Sequence, residues 1–274
     1  MQEILKIAKD TNKINENLYF KNLNFSAKLD PGESKSTLGG FKAEKFELSK
    51  ESLNSPLGKI NVAEETLNKP IPLKLFLNSQ EAFISAIDNW SKVLGLMISK
   101  VPSDLQRAVL IDNLNDEHGN GDLTKSHINT FRMLLVSLDY TEKIQLYNRY
   151  LPSYRYIKKF NDDLTSSIDG IIKIDGINWI YNIAILGMIE YVYVDVSKYI
   201  HAYLRNFLPP DKINHYSTHE ILDVHHYTSL FQLLEPYIKT NYNEIYFGIR
   251  RGFKLMDELY FSLNYFLTGV ISKL

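Results

Sequence analysis

Cysteine is missing altogether from the 274 residues. That excludes disulfides, thiolate zinc sites, iron-sulfur clusters and a thiol nucleophile, so any bound iron or zinc must rest on His, Asp and Glu. A surplus of charge is missing too: 31 Lys plus Arg face 32 Asp plus Glu, and the net charge of -1 gives no general pull toward nucleic acid or an anionic membrane. No uncharged apolar run reaches the roughly 20 residues that span a bilayer; INWIYNIAILGMI runs straight into Glu190. The opening MQEILKIAKDTNK carries charges inside its first apolar run and lacks a small-residue cleavage site, which is not the pattern of a secretory signal. A cytoplasmic chain without membrane or nucleic-acid partners is the expectation. Glycine-rich phosphate loops, an HExxH zinc motif, internal repeats and period-two alternation are also absent.

What is present is helical periodicity. Residues 1–70 read as an irregular N-terminal extension packed on the core, with a Pro/Gly/Ser-rich stretch at Leu29–Gly40 and short helical candidates at Glu3–Lys9 and Phe41–Leu53. From about Leu75 the pattern turns helical and stays so, which gives a helical domain over 71–274. Phe83, Ile87, Trp90, Leu94 and Met97 form one stripe on a long helix. Pro102 can open the next, with Leu105, Val109 and Leu110 facing inward, and further helices are expected at His127–Leu138 and Thr141–Tyr150. A central helix runs from Asn178 to Phe207, where Pro209 and Pro210 stop it. Ser217, three residues before Glu220, reads as a capping box that starts another, and Asn243–Leu267 supplies the last. The fold class is therefore all-α, a bundle of about seven core helices.

Three polar signals stand out against this background. In HEILDVHH, His219, Asp223 and His226 fall at i, i+4 and i+7, within about 60 degrees of one another around a helix, while His225 points away. The set suits a non-haem metal, and equally a salt-bridged surface cluster. Glu190 sits between GMI and YVYV, where burial is costly unless the carboxylate is paired or bound to metal. Glu117 ends one helix and His127 starts the next across NDEHGNG, whose glycines permit a sharp turn; an ordinary polar loop would read the same way. Asp116, His118 and Asp122 are expected to be solvent, capping or supporting groups. Taken together, carboxylates and imidazoles carried inward by several helices are the usual way for a bundle to hold two iron or two manganese ions.

These residues also resemble a known family, the haem-oxygenase-like di-iron oxidases and oxygenases, related in fold to the TenA and PqqC proteins. The text Asn113-Leu114-Asn115-Asp116-Glu117-His118-Gly119-Asn120-Gly121, followed by His127, is similar to that family's first ligand segment, Glu190 to its mid-chain Glu, and His219, Asp223 and His226 to its H-x3-D-x2-H. The resemblance covers roughly Leu75 to Leu267. It implies a haem-oxygenase-like bundle with Glu117, His127, Glu190, His219, Asp223 and His226 as metal ligands. Two Fe(II) ions would be bound, manganese or a mixed pair suiting the same donors, with O2 as co-substrate. The activity implied is an O2-dependent oxidation of a small organic substrate such as a fatty acid, amino acid or amine, by C-C cleavage, desaturation or N-oxygenation. An external electron donor and a homodimer are compatible with it. Some members add a carboxylate from the first core helix, for which Glu81 and Asp88 are equally placed. Arg107, Arg132, Lys198 and Arg205 are available to an acid substrate, although each also reads as a surface cation. Two other classes stay open: a metal-free TenA-like or PqqC-like enzyme, although the TenA nucleophile is a Cys and this chain has none, and a non-catalytic helical interaction protein.

Overall fold

The computed structural model describes residues 1–27, 73–138, 152–169 and 178–271. Among these there are ten α-helices and no strand: α1 (Gln2–Thr11), α2 (Leu18–Ala27), α3 (Leu73–Glu81), α4 (Phe83–Lys100), α5 (Asp104–Glu117), α6 (His127–Ser137), α7 (Pro152–Asp169), α8 (Asn178–Leu204), α9 (Asn214–Leu234) and α10 (Tyr242–Ile271). This is a haem-oxygenase-like helical bundle. The expected elements at Leu29–Gly40, Phe41–Leu53 and Thr141–Tyr150 lie outside the described residues.

The organising element is α8, which packs along both α9 and α10. Its composition explains its place: Ile183 to Met188 are buried, and Val192, Val196 and Ile200 continue the apolar surface. A helix apolar on all sides belongs in a core. By length and composition Trp179–Leu204 could also cross a membrane, yet 78% of its most apolar window is buried among the other helices. Glycine lets α10 come close. A Cβ on Gly248 would lie 2.5 Å from the Tyr181 carbonyl oxygen and one on Gly252 2.6 Å from that of Ile185, so only residues without a side chain fit at these two crossing points.

The second layer is formed by α4 against α5 and α7. The stripe of Phe83, Ile87, Trp90, Leu94 and Met97 is buried as expected. The single long helix expected there is divided at Ala82, whose carbonyl accepts from both the backbone N–H and the hydroxyl of Ser85. This short i to i+3 closure replaces the regular ladder at that point. On the N-terminal side, α2 packs on α8 and α1 on α10, burying Ile4, Ala8, Tyr19, Phe20 and Leu23.

Three further boundaries differ from the sequence reading. Helix α5 starts after Ser103, which closes a capping box with Gln106, and it runs on to Glu117. Leu105 points outward at 69% exposure, because the buried positions of α5 are Gln106, Leu110, Asn113 and Glu117. Helix α9 begins at Asn214, not Ser217, so no capping box forms with Glu220. Ile213, His215 and Tyr216 are buried and hold the extra turn, and the Ser217 hydroxyl donates back to the Asn214 carbonyl. Helix α7 was not expected at all. Pro152 opens it, and Ile157, Phe160, Leu164 and Ile168 bury one narrow stripe beneath an otherwise polar surface.

Candidate metal centre

The site forms where α5, α6, α8 and α9 meet, and the turn between α5 and α6 begins it. Gly119, Asn120 and Gly121 all take left-handed φ values, +70°, 53° and +88°. At Gly119 a Cβ would lie 2.8 Å from the Ser126 backbone nitrogen, so this tight turn needs glycine there. The result is that Glu117, at the last position of α5, and His127, at the first of α6, face each other: His127 Nδ1 is hydrogen-bonded to Glu117 Oε2. Both side chains are buried. With Nδ1 so engaged, His127 Nε2 is left buried without a partner.

Helix α8 contributes Glu190, and α9 contributes His219, Asp223 and His226; all four are buried. The spacing argument holds: the three α9 side chains turn to the same side, while His225 is exposed 3.6 Å from Asp112. His219 Nδ1 is 2.8 Å from Asp223 Oδ1. His226 Nδ1 is 3.5 Å from Glu190 Oε1, and its Nε2 donates to Asp116 Oδ2 at 3.1 Å. Asp116 is thus the carboxylate that fixes the His226 ring, a common support for a metal-binding imidazole.

The sequence reading missed one buried imidazole. His215, one turn before His219 on α9, is buried and lies with its ring centroid 4.9 Å from both His127 and His219. The signal was the i, i+4 pair His215/His219, hidden by starting the helix at Ser217. The unpartnered buried atoms now include His127 Nε2, His215 Nε2, Glu190 Oε1, Asp223 Oδ2 and His226 Nδ1. Two groups of three have ligand atoms within 4.8 Å of one another: Glu117, Glu190 and His226, and His127, His215 and His219. Buried polar atoms are almost always satisfied. So many orphaned lone pairs, all on oxygen or imidazole nitrogen and all turned to one place, fit divalent cations.

The electrostatics show what these groups do without one. Burial and then the facing Asp223 carboxylate raise Glu190 to about 7. Burial raises the Glu117 carboxyl as well, but His127, His219 and His226 outweigh it and bring the group down to about 2. Burial pushes His226 down, and Glu190, Glu117 and Asp223 more than offset that, raising it to about 10. Asp223 is pushed well above the usual carboxylate range by burial. Protons therefore fill part of the place of a cation.

Other sequence candidates fall elsewhere. Asp88 is exposed and paired with Lys92 at 2.5 Å, and neither Asp88 nor Glu81 joins the two ligand groups. His201, never a candidate ligand because it lies about three turns along α8 from Glu190, pairs with Glu220 at 2.5 Å. Asp122 caps the turn at Thr124, and His118 ends α5 with its Nδ1 2.9 Å from the Leu114 carbonyl oxygen. Arg132, Lys198 and Arg205 are on the surface, and Arg107 binds Asp104 and the Val101 carbonyl.

A cavity of about 410 Å³ reaches the site from the α6/α9 side. Met133, Leu134 and Leu222 supply apolar wall, Lys125 and Lys212 lie among its lining, and His127, His215 and His219 are where it meets the centre. The aromatic run of α8 is not part of this wall. Leu186, Met188 and Val192 are plain core.

A haem-oxygenase-like bundle with a buried, metal-competent set of carboxylates and imidazoles defines the class of this protein as a metal-binding redox enzyme of helical architecture. The family described as "Iron-containing redox enzyme" matches residues 80–257, well over half of the chain, and the protein belongs to that family. No curated protein matches the sequence.

Proposed function

We propose that the protein is a non-haem di-iron enzyme that uses O2 to oxidise a small organic substrate, a fatty acid, amino acid or amine. The observation that carries this reading is the convergence of orphaned oxygen and imidazole atoms from three helices, with Glu117 from a fourth, beside a cavity of substrate size. Glu117, His127, Glu190, His219, Asp223 and His226 would hold the metal. Two ferrous ions supply the electrons and open positions that O2 activation needs.

The chain's own residues do the rest. Asp116 holds the His226 ring with Nδ1 turned inward, and Asp223 does the same for His219 through its Nδ1. Glu117 and Glu190, facing His127 and His226, offset the charge of the cations. Leu134 and Leu222 give the cavity apolar wall beside the site, and Lys212 and Lys125, the latter paired with Asp122 at 3.2 Å, stand among its lining where a substrate carboxylate can meet them. Reducing O2 to water takes four electrons, and a two-electron oxidation of substrate supplies half of them, so an external donor serves reactions that return the centre to its ferrous state.

The test is anaerobic loading with Fe(II), counting of iron per chain, and rapid mixing with O2 while the visible spectrum is recorded. About two irons per chain and a transient band whose decay responds to fatty acids, amino acids or amines support the reading. Absence of tight iron and of any O2 consumption would replace it with a metal-free enzyme or an interaction protein.

A further inference from the structure

His215 belongs to none of the motifs that drew attention to this site, yet its surroundings are those of a ligand. The Thr130 hydroxyl donates its only proton to the His127 carbonyl oxygen at 3.0 Å. The Thr130 hydroxyl oxygen lies 3.0 Å from His215 Nδ1 and, with its proton on that carbonyl, accepts there. With the Thr130 proton turned to that carbonyl, the neutral imidazole carries its hydrogen on Nδ1 and leaves the Nε2 lone pair free. That Nε2 is buried and has no partner. Its position with His127 and His219, ligand atoms all within 4.8 Å, is the compass of one ion.

We infer that His215 is a further metal ligand, its Nε2 completing a three-imidazole set with His127 and His219 that faces a carboxylate-rich set of Glu117, Glu190, Asp223 and His226, with Thr130 as the residue that positions its ring. This rests on the metal-binding reading above and deepens it: the two metal positions are chemically unequal. Imidazole-rich donors suit iron, cobalt or zinc, while carboxylate-rich donors also accept manganese, so the two equivalents should load with different affinities.

The test uses Co(II) added anaerobically to the metal-free full chain, with the ligand-field spectrum and bound metal followed together. The wild type should take two equivalents in separable steps. His215→Gln and His215→Phe should weaken one step at least about tenfold and change its band, leaving the other step in place; Thr130→Val, which keeps all imidazoles but frees the ring, should weaken the same step by a smaller factor. Should the variants fail to fold, nitrogen NMR of the wild-type imidazoles with and without Zn(II) answers the same question: four metal-shifted imidazoles are expected, those of His127, His215, His219 and His226. Variants that keep both steps at wild-type affinity and spectrum, or only three shifted imidazoles, would overturn the role of His215 while leaving the metal centre intact. A wild type that binds no Co(II) at all would overturn the centre itself.

Discussion

At His226 the conflicting demands of the site meet in one side chain. Three carboxyl groups, Glu190, Glu117 and Asp223, raise this fully buried imidazole to about 10, so it carries a proton at neutral pH when no metal is present. A coordinating imidazole must be neutral at the nitrogen that binds. Metal loading must therefore expel at least one proton per chain, and Glu190, near 7, adds a further fraction of one. Loading should tighten as pH rises from 6 to 8. Calorimetry in buffers of different ionisation heat measures the released protons directly, and heats that do not vary with buffer would contradict this protonation state. Asp116 is the other half of the same arrangement. Its carboxylate is the partner of His226 Nε2, so Asp116→Ala frees the ring without removing a ligand and should weaken metal binding by about 10–100-fold. Equilibrium dialysis against a coloured chelator would show this, with helicity as the control.

At the scale of elements, the site depends on how closely α8 can be flanked. Gly248 and Gly252 set α10 against carbonyl oxygens of α8, and backbone oxygens cannot move aside as a side chain could. Gly248→Ala should cost about 1–3 kcal/mol, seen as a lower urea midpoint at unchanged slope; an unchanged midpoint would mean that α8 and α10 can part freely. The helices carrying strong periodic stripes were legible in the sequence, as was the face shared by His219, Asp223 and His226. Other elements were not, for definable reasons. The stripe of α7 is only one residue wide per turn, and the surrounding Lys, Asp and Asn hide it. The start of α9 is fixed by burial of Ile213, His215 and Tyr216 among distant neighbours, which local capping rules cannot see; Ser217 looked like a cap and His215 was lost with the turn before it. Asp116 was legible as a solvent, capping or supporting group, but not the ring it supports. The pairing with His226 exists only because α5 ends beside α9, and nothing in its own segment records that partner.

At the scale of the whole molecule, the metal-free fold carries a defect in its centre. His127, His215 and Asp223 each bury a polar atom with no hydrogen-bond partner, while Glu190 Oε1 and His226 Nδ1 face each other at a long 3.5 Å, and a buried polar group left unsatisfied typically costs about 1–3 kcal/mol. Divalent cations that bind the folded chain and not the unfolded one should therefore raise its stability by mass action, about 2.7 kcal/mol at a hundred times the dissociation constant. For a chain of this size that corresponds to a rise in melting temperature of about 5–10 °C. Asp223→Ala separates the folding role of the cluster from its binding role. The carboxyl it removes is held well above its usual range by burial, so its loss relieves a costly group while it leaves His219 Nδ1 without its partner. The metal-free variant should therefore melt close to the metal-free wild type, with its helical signal intact, and should gain much less on addition of Fe(II) or Co(II). Calorimetric melts of both proteins, with and without metal, decide the matter. A wild type that gains nothing from metal would show that the orphaned atoms are satisfied in solution without a cation. A variant that gains as much as the wild type would show that the ions are held without α9's carboxylate.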